Sequence, residues 1–236
     1  MRRPLALAVA VAAMLAGAVL VGCSGTDAGS EGASEPSPAE RLSAAKATFD
    51  AAGSVQLDLS SRDVPPRENG VTAAKGAGAI SATEPAFSGT ITGTIEGVAG
   101  TIEVIAVGET AYLKFFTPDY VETDLDTLGA PNPAMFFDPA KGISALLPQT
   151  GDPTAAGRAR AGAEVLDRID GTLPGAPIKE LFHLGDGTGT YRVSYGLTSA
   201  GELRTATLVG PFFPGVQATY LLSLTDYGAP VEITRP

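Results

Sequence analysis

From residue 55 onward, apolar and polar residues alternate along the chain with a period of two. Val55, Leu57 and Leu59 are interleaved with Gln56, Asp58 and Ser60, and Phe87, Gly89, Ile91, Gly93 and Ile95 with Ser88, Thr90, Thr92, Thr94 and Glu96. A strand points successive side chains to opposite faces, so these runs predict strands with one apolar and one polar face. Ile102, Val104 and Ala106 continue the pattern, followed by residues 111–116, then Tyr191, Val193, Tyr195 and Leu197, then residues 203–209. Ala218, Tyr220, Leu222 and Leu224 complete it. The runs sit close together with Gly, Asn and Asp between them, as antiparallel hairpins do. A sheet with this many strands twists and tends to curl. Glycines at 89, 93, 97 and 100 weaken the strands around them and mark either bends or room for a guest.

Three stretches have the helical period instead. Ser37-Pro38-Ala39-Glu40 has the residues of a capping box with proline at the first helical position. Leu42, Ala45, Phe49 and Ala52 then recur on one helical face, and Gly53 supplies the stop. Asp138-Pro139 reads as a second cap, with Ile143, Leu146 and Leu147 as the stripe before Pro148. Residues 175–184 offer a third stripe in Ile178, Leu181 and Phe182. Both later helices are expected to cover the apolar face of the sheet.

Ahead of residue 37 the pattern is of another kind. Arg2 and Arg3 precede an uncharged apolar run from Leu5 to Val21, and Leu20-Val21-Gly22-Cys23 ends it with the single cysteine of the chain. This is the layout of a secretory signal, and the small residue before Cys23 suits cleavage just ahead of the cysteine. It predicts a lipoprotein signal over residues 1–22 and lipid attachment at Cys23, with the protein held by acyl chains on the outer leaflet of a cytoplasmic membrane. The alternatives are an ordinary secretory signal with a stray cysteine, or an uncut membrane anchor. The run is short for a spanning helix, which wants about 20 apolar residues. Residues 24–36 contain only Ser, Gly, Thr, Asp, Ala, Glu and Pro, too polar to order themselves. Residues 23–37 are thus the lipidated cysteine and a tether of about 20 Å, and residues 38–236 form one domain.

Composition narrows the function. Losing Arg2 and Arg3 with the leader leaves 14 basic residues against 26 acidic, a net charge of −12. Such a domain is not built to neutralise phosphates, so nucleic acid is excluded as a partner. One histidine, His183, rules out a paired-histidine zinc motif, and a single lipidated cysteine removes thiolate catalysis. No Gly-x-Ser-x-Gly elbow or P-loop occurs. His183 between Phe182 and Leu184 reads as a structural histidine. Glu122, Asp124 and Asp126 share one side of an extended segment but lack the glycine and terminal glutamate of a calcium loop, so they read as a solvated edge. Asp167 and Asp170, in the strand pattern before Gly171, read as turn-proximal surface groups. No enzyme, metal site or cofactor is expected.

The lipobox, polar tether, capped helix and following β-run together resemble the mycobacterial lipoprotein family of LprG, LppX, LprA and LprF. Phe137-Asp138-Pro139-Ala140, the Tyr112 strand leading to Thr117-Pro118, and Ser223–Gly228 continuing to Val231-Glu232-Ile233-Thr234 look like that family's later strands. The resemblance implies an α+β fold: a curved antiparallel half-barrel sheet with helices on the concave face, enclosing an apolar cavity. It also implies binding of a multi-acylated lipid or glycolipid, carried across the cell envelope, with a lipid exporter as a further partner. The Pro-rich loop over residues 128–135 and the stretch over residues 171–177 depart from the family and are expected to shape the cavity mouth.

With the resemblance in hand, the expected cavity walls are Ile91, Ile102, Val104, Ala106, Leu113, Phe115, Tyr220 and Leu222, capped by Ile143, Leu146, Leu147 and Phe182. Periodicity alone would assign these positions to an ordinary packed core. The rival functions are an envelope protein-interaction module without a cavity, and a hydrolase with an acidic site over residues 119–126.

Overall fold

The computed structural model describes residues 35–95, 97–115 and 118–236. The leader, Cys23 and most of the tether lie outside the described residues, as do Phe116 and Thr117. Pro36–Pro236 is one compact unit with a single continuous hydrophobic core.

The first helix, α1, spans Pro38–Ala51. The Glu40 N–H donates to the Ser37 hydroxyl at 3.3 Å, and the Ser37 N–H donates back to the Glu40 carboxylate at 2.8 Å. The Ser37 hydroxyl also donates to that carboxylate at 2.7 Å, and this bond, ahead of the one from the Ser37 N–H, holds Glu40 below the usual carboxylate range. Leu42, Ala45 and Phe49 form the buried stripe.

Eleven strands follow: β1 (Ser54–Arg62), β2 (Gly70–Ala79), β3 (Ala86–Ile95), β4 (Val98–Val107), β5 (Thr110–Lys114), β6 (Val121–Thr123), β7 (Gly151–Ala161), β8 (Glu164–Pro174), β9 (Thr190–Leu197), β10 (Leu203–Phe213) and β11 (Val216–Thr225). They form one open, curved, wholly antiparallel sheet in the order β6-β5-β4-β3-β2-β1-β11-β10-β9-β8-β7. The chain therefore starts at the middle of the sheet and meanders to one edge at β6. Residues 124–150 carry it over to the opposite edge at β7, and it meanders back until β11 pairs with β1. Leu57 faces Leu224 and Leu59 faces Leu222 across that central seam.

The crossover contains a 3-10 turn over Pro133–Phe137, the short helix α2 (Ile143–Leu146) and a second 3-10 turn over Leu147–Gln149. Its first turn lies against β2, β3 and β4, while α2 and the second turn lie against α1. A half-buried polar group locks that last contact. The Ser144 hydroxyl donates to one Asp50 carboxylate oxygen and Lys46 Nζ to the other, both at 2.6 Å, and Lys46 also donates to the Pro139 carbonyl. Helix α3 (Gly175–Phe182) buries Ile178, Leu181 and Phe182.

Three expectations need correction. Asp138-Pro139 does not cap a helix: the Asp138 carboxylate receives the Ala140 N–H at 2.7 Å in a local turn, and α2 starts only after Gly142. Residues 231–234 are not a strand. The chain beyond β11 runs as a tail, tied to Ser54 through Gly228 and Ala229 and to Glu84 through Arg235. Asp167 is mid-strand and multiply paired, to Arg158 and Arg41 at 2.9 and 2.8 Å, which fastens α1 to β8. Asp170 likewise lies within β8, 2.8 Å from Arg168.

Candidate functional site: an apolar cavity in the first half of the sheet

Beneath the concave face of β1–β6 lies a cavity of about 600 Å³. Its sheet wall comes from the inward positions of consecutive strands: Leu57 and Leu59, Val71 and Ala74, Ile91, Ile102 and Val104, and Leu113. Leu125, Leu128, Ala130, Pro131, Pro133 and Phe136 of the crossover form the opposite wall. The second half of the sheet contributes only Tyr220, and the end of α3 adds Phe182, His183 and Leu184. The volume lies within the range of about 300–1,000 Å³ typical of small-molecule sites.

The lining holds no Asp, Glu, Lys or Arg. Its buried polar atom, the Tyr220 hydroxyl, is turned away and donates to the Val71 carbonyl at 3.0 Å, with burial pushing the phenol well above its ordinary value. The other polar side chains on the lining are Asn69, Thr94, Thr123 and His183. Among the described residues, no group of three or more His, Cys, Asp and Glu side chains is placed to hold a metal ion.

Aromatic packing closes the inner end. Phe87 stacks on Phe137, and Phe182 meets Phe136 and Tyr220 with ring centroids 5.2 and 5.4 Å apart. Beyond Phe182, Phe212 lies against Tyr220 and Tyr191 at 4.5 and 4.8 Å. Rings therefore fill the space under β8–β11 and the inner end over β2 and β3, whereas the outer part of the space under β1–β6 stays open.

The outer end opens where β3 turns into β4 and β5 leads towards β6. Val98, Phe115 and Val121 line this mouth while being 62%, 39% and 55% exposed. The glycines of β3 and β4 divide between the two readings of the sequence. Gly97 has a positive φ and makes the turn, Gly93 and Gly100 line the cavity, and Gly89 lies against the Phe87 ring.

Seven of the twelve wall residues anticipated from sequence lie on the cavity: Ile91, Ile102, Val104, Leu113, Phe115, Phe182 and Tyr220. The other five, Ala106, Ile143, Leu146, Leu147 and Leu222, are in the packed core. Ala106 is cut off from the cavity because it pairs with Phe87, whose ring forms the floor, and the α2 stripe is turned to α1 instead. Leu57, Leu59 and the crossover residues escaped that anticipation. The Leu pair had the strand alternation, and the crossover had only its apolar, Pro-rich composition.

His183 has a backbone role at the end of α3. It is exposed at the mouth and ends α3 in the left-handed conformation, φ 54°, with its N–H donating to the Lys179 carbonyl at 2.9 Å. The acidic run is not one extended edge, because β6 ends at Thr123. Asp124 folds back to accept the Asp126 N–H and the Thr127 hydroxyl, which holds it below the usual carboxylate range.

An open antiparallel sheet curled over an uncharged cavity, with its helices and crossover on the concave side, defines the half-barrel class of lipoproteins. The LppX_LprAFG lipoprotein family model matches residues 37–233, and the chain belongs to that family. The crystal structure of LprF from Mycobacterium bovis is similar at a TM-score of 0.71, with 17% identity over 84% of this chain and 96% of that one. LppX from Mycobacterium tuberculosis is similar at a TM-score of 0.62, with 15% identity over 85% of this chain and all of that one. At those identities the likeness is one of fold. No curated protein sequence matches the chain.

Proposed function

We propose that this chain is a membrane-anchored envelope lipoprotein that takes up a multi-acylated lipid or glycolipid and carries it across the cell envelope. The observation that supports this is the uncharged cavity of about 600 Å³, open at one end. A buried methylene is worth about 0.8 kcal/mol, so a long acyl chain gains on the order of 10 kcal/mol on leaving water. A carrier must match that burial without committing a reactive group, and this wall is mostly apolar and holds no Asp, Glu, Lys or Arg. Catalysis has no part in the reading. The protein is attached through Cys23 to the outer leaflet of the cytoplasmic membrane, and a lipid exporter is a fitting donor.

Native mass spectrometry of the tag-free Pro36–Pro236 domain, purified from its own host, tests the reading. A bound lipid that organic extraction removes is expected. A domain that emerges empty and takes up no acylated lipid offered to it would favour the protein-interaction module. The anchor is tested separately: Cys23→Ala should leave the protein uncleaved or released. A processed Cys23→Ala protein that still fractionates with membranes would place the anchor elsewhere.

A further inference from the structure

Four large apolar side chains are conspicuously exposed among the described residues: Val98, Phe115, Val121 and Val165. Three of them, Val98, Phe115 and Val121, ring the mouth of the apolar cavity, and the fourth, Val165 of the β7–β8 hairpin, stands elsewhere. Scattered single exposures are ordinary on a protein surface, but a cluster bordering an apolar site marks an interaction surface.

From this placement we infer that the rim of Val98, Phe115 and Val121 is a docking surface for a lipid bilayer with little net charge. Each rim residue also lines the cavity, so rim and wall are one continuous apolar surface. A guest with acyl chains must pass over that rim, and a bilayer seated on it removes the water the chains would otherwise cross. Val98 directly follows the Gly97 turn, and Phe115 and Val121 flank the β5–β6 connection, so all three stand at strand ends where they can reach a flat surface.

Charge selects the kind of bilayer. The β1–β2 connection at this end carries Arg62 and Arg67 together with Asp63 and Glu68, while Asp119 and Glu122 stand near the other side of the mouth. The mouth thus has both signs and no basic patch, and the chain as a whole is acidic at −10. Attraction to anionic headgroups does not hold such a domain, so apolar contact has to.

The inference rests on the carrier reading, and the test separates the two. The chain has no tryptophan, so Val98→Trp reports from the rim alone. The Pro36–Pro236 domain carrying it should shift its emission to the blue on adding phosphatidylcholine vesicles. Val98→Asp, Phe115→Asp and Val121→Asp should each weaken vesicle flotation about tenfold or more, since a buried valine or phenylalanine is worth that much in affinity. Val165→Asp, equally exposed but away from the mouth, should bind as the unmodified domain does. Docking is overturned if the rim variants float unchanged, if Val165→Asp weakens flotation as much, or if the unmodified domain forms rim-dependent dimers in place of binding vesicles. Uptake of a fluorescent fatty acid by the unmodified domain, without vesicles, decides the carrier reading independently.

Discussion

Phe87 and Phe137 stack with ring centroids 6.0 Å apart and planes within 7° of parallel, joining the middle of the sheet to the crossover above it. The stack exists because β2 and β3 have glycines underneath it. A side chain at Gly78 would run into the Phe137 ring, and side chains at Gly76 or Gly89 into the Phe87 ring and the facing backbone. Phe87 forms the floor of the cavity, and Phe137 behind it holds that ring in place.

Gly78→Ala should therefore destabilise the domain by roughly 1–3 kcal/mol, the usual cost of overpacking a filled site. Phe137→Ala should cost roughly 3–5 kcal/mol. Urea titration of both variants checks this, and a Gly78→Ala domain as stable as the parent would mean that the ring yields freely.

Filling the cavity should behave differently from filling the core. Ile102→Trp places a larger ring where unoccupied volume lies beside it, so the thermal midpoint should hardly move while binding of an acylated ligand falls. Ala106→Trp, four residues along the same strand, enters the packed region beside Phe87 and should cost at least 1–3 kcal/mol. Equal destabilisation by the two would indicate that Ile102 also has no room.

The Asp167 carboxyl is held below the usual range first by its hydrogen bond from Arg158 and then by Arg41. A carboxylate depressed in this way stabilises the fold above its unfolded pKa of about 3.9, and that contribution fades as pH falls through the lower folded value. Asp167→Asn should thus lower the urea midpoint by a constant amount between pH 5 and 7, with the difference closing below about pH 4. A gap that persists undiminished at pH 2 would show that packing, not charge, is what the variant lost.

Ser144→Ala removes the donor to one Asp50 oxygen while Lys46 stays on the other. Leaving that acceptor short should cost about 1–3 kcal/mol. The loss should appear first as faster amide exchange in the second part of the crossover, over residues 138–150. Protection that falls evenly over the whole sheet would argue against a local latch.

The sequence made the cap of α1 legible because Ser37 and Glu40 act within one turn, and the strands with inward Leu, Ile, Val and Tyr were legible for the same reason of local pattern. β2 was not. Its inward positions are Ala74, Gly76 and Gly78, kept small so that rings from β3 and the crossover can lie on them, and smallness imposed from outside has no period. β7 was missed because it is an edge strand with mostly exposed residues, so nothing forces it to alternate. The half of the cavity wall supplied by the crossover was illegible because a loop has no periodicity to betray which of its apolar residues face inward. The split between wall and core along β4 depends on where Phe87 lies, a contact made across strands.

The concentration of rings under β8–β11 and of empty volume under β1–β6 gives one continuous sheet two unequal mechanical characters. Local opening is cheapest where few apolar contacts must be broken. Without a guest, the strands from β3 to β6 should breathe most readily, and β9 to β11 should exchange their amides only on global unfolding. A bound guest supplies the contacts that the first half lacks, so occupancy should be felt as stiffness spreading from the mouth inward. On the carrier reading, loading would then complete the folding of the domain, and unloading would reopen the half of it through which a cargo would leave.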